Sequence, residues 1–232
     1  MIKKLIDRLK QIYYKSSNER YVTFLRTKGI DIGAGTMMRP KSTTIDLTRP
    51  SLISIGMNCY MNENFTLLTH DWVTRVFIRC NMDFLPSSGR VVIGNNVSFG
   101  QNVMVLKGVT IGDNCFIGAG SIVTKSIPAN SIAAGVPCRV IMNLDEYYQK
   151  RVKQYENEAF DYAFSIQERF HRRPLPSDFF EEFPLFVSGD EIENYPDIAI
   201  RRQLGPIYEH YKHNHKAKYK NFDSFLKAAG IE

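Results

Sequence analysis

The stretch with the most chemical promise is LLTHDW, Leu67 to Trp72. His70 is the only histidine between residues 29 and 143. An imidazole changes charge between about pH 5 and 8, so it can take a proton from a nucleophile and return it to a leaving group. A base of this kind works best when one ring nitrogen is held and the other is left free. Asp71 is an acidic candidate for holding it, although neighbouring side chains often point apart; a backbone carbonyl would do the same. Asn64 stands six residues earlier, either to contact a substrate or to satisfy a turn. A histidine in this place is either a solvated surface residue or the working end of a site, and the scaffold around it decides which.

That scaffold is visible as a period. Ile93, Phe99, Val105, Ile111, Ile117 and Val123 are spaced six apart. Four residues after each comes a second candidate for the interior: Val97, Val103, Val109, Cys115, Ser121 and Ile127. A helix has a period of about 3.6 and a simple strand one of 2. Six fits neither, but it fits short strands that turn a corner every six residues. Gly94, Gly100, Gly112 and Gly118 follow four of the large residues, where a tight corner is expected to need backbone freedom. The same phase holds for Ile55, Met61 and Leu67, and begins at Ile32 and Met38, with the register blurred from Thr43 to Ser54. Asp71 falls on an interior position. The coil is therefore expected to open there, with residues 73–89 projecting as a loop rich in bulky groups.

Composition divides the chain of 232 residues into three parts: 1–28, 29–143 and 144–232. Twelve of the fifteen glycines lie between Gly29 and Gly135, whereas 17 of the 27 Phe and Tyr residues follow Leu144. The middle is corner-rich and the tail is packed by aromatics. Residues 1–28 carry the whole net charge of +6, and the remainder is balanced. A basic arm on a neutral body is not the basic stripe of a nucleic-acid-binding domain. Its apolar stripe, Ile2, Leu5, Ile6, Leu9, Ile12 and Tyr13, reads as an amphipathic helix that caps the open end of the coil. A peripheral contact with an anionic membrane surface is compatible with that. The tail predicts a helix from about Asp145 to Arg172, ended by Pro174 and Pro176, then a Phe-rich stretch and short helices, the last stopped by Gly230.

Cys59, Cys80, Cys115 and Cys138 include no CxxC pair and read as small buried thiols in a reducing cytosol. With no apolar signal segment and no run of about 18 apolar residues, a cytoplasmic location is the expectation. In EHYKHNH, spacings of three and two do not put His210, His213 and His215 on one helical face, and lysines surround them. No metal is expected.

The repeat, and above all GAGSIVTKSIPANSIAAGVPCRVI from Gly118 to Ile141, resembles the hexapeptide-repeat acyltransferases, in particular the galactoside and maltose O-acetyltransferases. The resemblance covers about half the chain and implies a left-handed parallel β-helix between helical ends. It implies acetyl-CoA as acyl donor, a sugar as acceptor and a homotrimer with coenzyme A between neighbouring β-helices. It makes His70 the general base. It also assigns donor contacts to Gln101 beside the pantetheine arm, to Ala119 through its backbone and to Thr124, with Lys125 and Arg139 toward phosphate. Two features depart from the family. Met37 to Pro50 contains no acceptor-binding asparagine, and Met142 stands where a second arginine is usual.

The reading is an acetyl-CoA-dependent O-acetyltransferase acting on a saccharide hydroxyl, plausible in cell-surface polysaccharide synthesis. N-acetylation of a nucleotide-linked amino sugar is the enzyme alternative, with serine or antibiotic acetylation behind it. A zinc-dependent relative would need more histidines. A non-enzymatic β-helix scaffold is the alternative of another class.

Overall fold

A computed structural model describes residues 12–232. Four of the six residues of the predicted amphipathic stripe, Ile2, Leu5, Ile6 and Leu9, lie outside the described residues. The chain divides into two compact units, one reaching to Tyr147 and the other spanning Tyr148–Glu232.

In the first unit the six-residue period becomes three sheets, parallel except for one edge strand. Strands β1 (Asp31–Ile32), β4 (Ile53–Ile55), β9 (Val91–Ile93) and β12 (Thr110–Ile111) form one face. A second face holds β2 (Met37–Met38), β5 (Tyr60–Met61), β10 (Ser98–Phe99), β13 (Phe116–Ile117), β15 (Ser131–Ala134) and β16 (Arg139–Asn143). The third holds β3 (Thr44–Ile45), β6 (Thr66–Leu67), β11 (Met104–Val105) and β14 (Ile122–Val123). Strands β1 to β6, and again β9 to β14, visit the three faces in turn, so the chain winds as a triangular parallel β-helix, and β16 closes the second face antiparallel to β15. Each interior residue stacks on its counterpart one coil later, as Phe99 pairs with Ile117 and Val105 with Val123. Both predicted interior series are buried throughout, including Ser121. Ser121 is tolerated there because its hydroxyl donates to Gly118 O and accepts from Gly135 N. The blurred register has a simple cause. Ile45, not residue 44, takes the interior place and pairs with Leu67, one residue out of phase with Ile32 and Met38.

The glycines act differently from the expectation. Gly94, Gly100, Gly112 and Gly118 do not have left-handed backbone; what they need is closeness. A Cβ on Gly112 would lie 2.4 Å from Ala129 N, and one on Gly100 2.5 Å from Ala119 N. The left-handed corners belong mainly to asparagine: Asn58, Asn64, Asn96, Asn102, Asn114 and Asn130 all have φ between 54° and 61°. Asparagine tolerates this region, and its amide can also stack on the next coil. Asn96 donates to Asn114 at 2.9 Å and Asn114 to Asn130 at 3.0 Å.

Helix α1 (Asn18–Thr27) begins where Ser17 accepts from Arg20 N, and buries Tyr21, Val22 and Leu25 in the core of the β-helix. Arg26 donates to Ile32 O and Gly33 O. Asn18 donates to Thr36 O and accepts from Met38 N. Four backbone groups at the open end are thereby given partners, which is the work of a cap. A second short helix, α2 (Thr74–Arg79), lies between β6 and β9.

In the second unit, helix α3 (Leu144–Phe170) buries Ala159, Ala163 and Ile166. Phe179, Phe183, Phe186, Phe222 and Phe225 fill the core, several edge to face, as Phe186 and Phe222 at 4.9 Å. His215 donates to Pro184 O and stacks on Tyr211, and His213 donates to Glu209 O. These contacts leave the three histidines apart in role. No group of three or more metal-ligating side chains occurs among the described residues.

Candidate active site

The predicted break in the coil is present. After Thr69 the chain leaves the third face and returns at Gly89, whose N–H donates to Thr69 O at 2.9 Å. The excursion is more ordered than a plain loop. Strand β7 (His70–Asp71) pairs antiparallel with β8 (Ser87–Ser88), and α2 lies between them. A short two-stranded tab thus holds His70 at the rim of the coil rather than inside it.

The partner of His70 is Asp46, not Asp71. Nδ1 of His70 lies 2.6 Å from Asp46 Oδ2. Asp46 is buried and accepts four further hydrogen bonds, from the amide and hydroxyl of Thr48 and the amide and hydroxyl of Thr69. Burial pushes its carboxyl pKa up. The hydrogen bonds from Thr48, Thr69 and His70 outweigh that and hold it well below the usual carboxylate range. An ionised carboxylate can only accept, so His70 donates from Nδ1–H. Nε2 makes no hydrogen bond among the described residues. The result is an imidazole with one nitrogen held and the other available as a base.

Asp71 is drawn away by geometry. On the two-residue strand it points opposite to His70, as the alternation of a strand requires. It pairs with Lys107 at 2.5 Å and accepts from Val73 N and Ser87 Oγ. The Lys107 contact and these hydrogen bonds hold its pKa down. Its task is to fix the tab to the neighbouring coil. Asn64 likewise turns out to be a corner residue, with φ 61° and its amide donating to Asn102 at 2.9 Å.

His70 lines a cleft of about 400 Å³ with Thr48, Arg49, Asp71, Trp72, Thr74, Phe84, Pro86 and Ser87. Trp72 and Phe84 are largely exposed, at 62% and 68%. The Trp72 ring stands edge-on to the imidazole, 5.9 Å between centroids. The buried Thr74 hydroxyl has no partner among the described residues.

Known proteins share much of this scaffold. The family described as bacterial transferase hexapeptide (six repeats) matches residues 90–125. The galactoside O-acetyltransferase of Escherichia coli (strain K12) is 44% identical over 125 residues, 44% of this chain and 62% of that relative; the chain thus spans less than two thirds of its length. The putative acetyltransferase YvoF of Bacillus subtilis (strain 168) is 32% identical over 140 residues, covering 60% of this chain and 73% of that protein. The chain belongs to the hexapeptide-repeat acetyltransferases. Its fold is the left-handed parallel β-helix of that group. Among solved structures, a galactoside acetyltransferase in complex with coenzyme A is 31% identical, covering 63% of this chain and 83% of that one, with a TM-score of 0.44. A maltose O-acetyltransferase from Clostridium difficile 630 is 26% identical, covering 59% and 83%, with a TM-score of 0.42.

In this hexapeptide-repeat acetyltransferase the five residues assigned to the donor fall on different parts of the coil. Gln101 and Ala119 stack at one corner, where Gly120 N donates to Gln101 O. Thr124 and Lys125 follow β14 on the third face, two coils beyond Leu68 and Thr69 on the same corner as His70; Leu68 N donates to Val105 O and Leu106 N to Val123 O. Arg139 opens β16 and folds back to donate to Cys138 O at 2.8 Å. All five are exposed. Of the four thiols, Cys59, Cys115 and Cys138 are buried, whereas Cys80, at the end of α2, is exposed against expectation. Asp46 was not evident from the sequence, since it sits in the segment where the register slips. Its signal was the local pair Asp46 and Thr48, an acid whose side chain can turn back on the residue two ahead.

Proposed function

We propose that the protein is an acetyl-CoA-dependent O-acetyltransferase whose acceptor is a saccharide hydroxyl, with His70 as general base. One observation carries the reading: an imidazole pinned by a buried carboxylate, its second nitrogen without a partner among the described residues, at a cleft. Membership of the acetyltransferase family supports the donor class.

The proposed step follows from that arrangement. Nε2 of His70 takes the acceptor proton as the hydroxyl oxygen attacks the thioester carbonyl. The imidazolium that forms lies against the Asp46 carboxylate, which stabilises it without taking the proton. Collapse of the tetrahedral adduct breaks the carbon–sulfur bond, and the departing thiolate recovers the proton from His70. Gln101, Ala119, Thr124, Lys125 and Arg139 are the proposed donor-side contacts. The working assembly is proposed as a cytoplasmic homotrimer with the donor between neighbouring β-helices, serving cell-surface polysaccharide synthesis.

The test is thioester consumption with acetyl-CoA against a panel of neutral, acidic and amino sugars, for wild type and His70→Ala side by side. Turnover on hydroxyl acceptors is expected to fall in the variant by about 10²–10⁴-fold with folding intact, the range for a lost general base. Turnover confined to amino groups would move the protein to N-acetylation. Undiminished turnover in the variant would remove His70 from the mechanism.

A further inference from the structure

Arg49 is a cation in the cleft that the proposed reaction does not use. It lines the same cleft as His70. A guanidinium carries five N–H donors. Among the described residues, the Arg49 side chain makes a single long hydrogen bond, Nη1 to Thr48 Oγ1 at 3.5 Å, and has no carboxylate within ion-pair distance. The Thr48 oxygen is in turn 3.3 Å from His70 Nδ1, so the guanidinium stands two contacts from the imidazole.

The other charges around it do not supply a counterion. Asp46 is buried, and its two oxygens are saturated by Thr48, Thr69 and His70. Asp71, the acid that lines the cleft, is neutralised by Lys107. Arg75 adds a second cation beside the cleft, over the Trp72 ring at 4.9 Å. The open part of the cleft is therefore cationic, flanked by exposed aromatic faces.

We infer that the acceptor carries an oxyanion, a carboxylate or a phosphate on a sugar, which Arg49 binds while Trp72 and Phe84 pack against the C–H faces of the ring. This deepens the proposed acceptor site and rests on it. A planar guanidinium pairs with either oxyanion through two parallel N–H donors, which fixes both charge and orientation. The acceptor hydroxyl would then be presented to Nε2 by its own charged neighbour.

Binding separates this from the catalytic reading. The probes are methyl β-glucuronide, glucose 1-phosphate and the neutral methyl β-glucoside, titrated by calorimetry into wild type, Arg49→Gln and His70→Ala. At least one anion should bind wild type about 10–100-fold more tightly than the neutral glycoside, the range for a charge-assisted hydrogen-bonded pair. Which anion does so identifies the group. Arg49→Gln should erase the preference and leave acetyl-CoA affinity unchanged, and His70→Ala should keep the preference. Equal binding of neutral and anionic sugars, a preference that survives Arg49→Gln, no measurable binding of either anion, or a loss of acetyl-CoA affinity instead would overturn the inference. If the preference holds but His70→Ala retains full turnover, the general-base reading fails and the Arg49 assignment stands.

Discussion

Two corners of the same β-helix behave in opposite ways. At one, Asn58, Asn96, Asn114 and Asn130 stack coil upon coil in left-handed backbone, and the last three pass amide hydrogen bonds along the column. The polar groups of that column are spent on holding one coil to the next. At the other, the column is interrupted after Thr69 by the tab of β7, α2 and β8. The corner that breaks the repeat is the one that holds a buried carboxylate and, among the described residues, an unpartnered imidazole nitrogen and an unpaired guanidinium. The repeat supplies rigidity and the interruption supplies reactivity; each depends on the other, because Asp46 and Thr69 belong to the coil and His70 to the tab.

The sharpest way to break this comparison is to cut the link between coil and tab. Asp46→Asn removes the charge that fixes the Nδ1–H tautomer while keeping the shape. We expect kcat to fall by about 10²-fold or more with the KM for acetyl-CoA unchanged, as for a group that positions a base. A structural role alone would move stability and leave that kcat-against-KM split unseen. The same variant has a pH signature. The Asp46 carboxyl pKa is lowered by folding, so its contribution to stability is complete above the unfolded value of about 3.9 and is lost as pH falls toward the folded one. Thermal unfolding midpoints of wild type should therefore drop below about pH 4 more steeply than those of Asp46→Asn. Parallel curves would mean that the carboxylate is not held as described.

Much of the coil could be read in advance, and the reason is repetition. An interior position such as Ile111 or Val123 is fixed by many copies of one pattern, so a single irregular residue does not hide it. His70 was legible for the opposite reason, as a lone imidazole where the pattern stops. Asp46 was not, because Ile45 takes the interior place one residue late and the slip hides the role of its neighbour. The corners were misread for want of a second pattern. In most coils a left-handed residue precedes the second interior residue, as Asn96 precedes Val97, Asn102 precedes Val103 and Gly120 precedes Ser121. The glycines one place after the large interior residues are there for a different reason, the close approach of the next coil.

That distinction leads to a smaller effect on the quiet side of the molecule. Gly112→Ala would drive a Cβ to 2.4 Å from the Ala129 backbone, where nothing flexible can yield. A loss of about 1–3 kcal/mol is expected from denaturant unfolding, as for overpacking. Gly120 has φ 71° and open space around it. Gly120→Asn should be nearly neutral, since asparagine already serves the equivalent place at Asn64 and Asn102. A loss at Gly120 as large as that at Gly112 would mean that close approach does not distinguish the two kinds of glycine. Asn114→Ala comes next. It leaves alanine in left-handed backbone and removes two ladder hydrogen bonds, so about 1–2 kcal/mol is expected, with turnover retained.

The smallest effect decides between the two carboxylates. Asp71 is adjacent to His70 in sequence, whereas Asp46 is 24 residues away, and only the latter touches the imidazole. Asp71→Asn loses an exposed ion pair with Lys107 but can keep the hydrogen bonds from Val73 N and Ser87 Oγ that hold the tab. Exposed pairs contribute little. Turnover of this variant is expected to stay close to wild type, with at most a modest salt-dependent change in acceptor KM as Lys107 is freed. A collapse in kcat comparable to that of Asp46→Asn would mean that the tab is set by its charge rather than by its strand pairing. The imidazole would then be positioned from the loop side, and the division between a rigid coil and a reactive interruption would no longer describe the site.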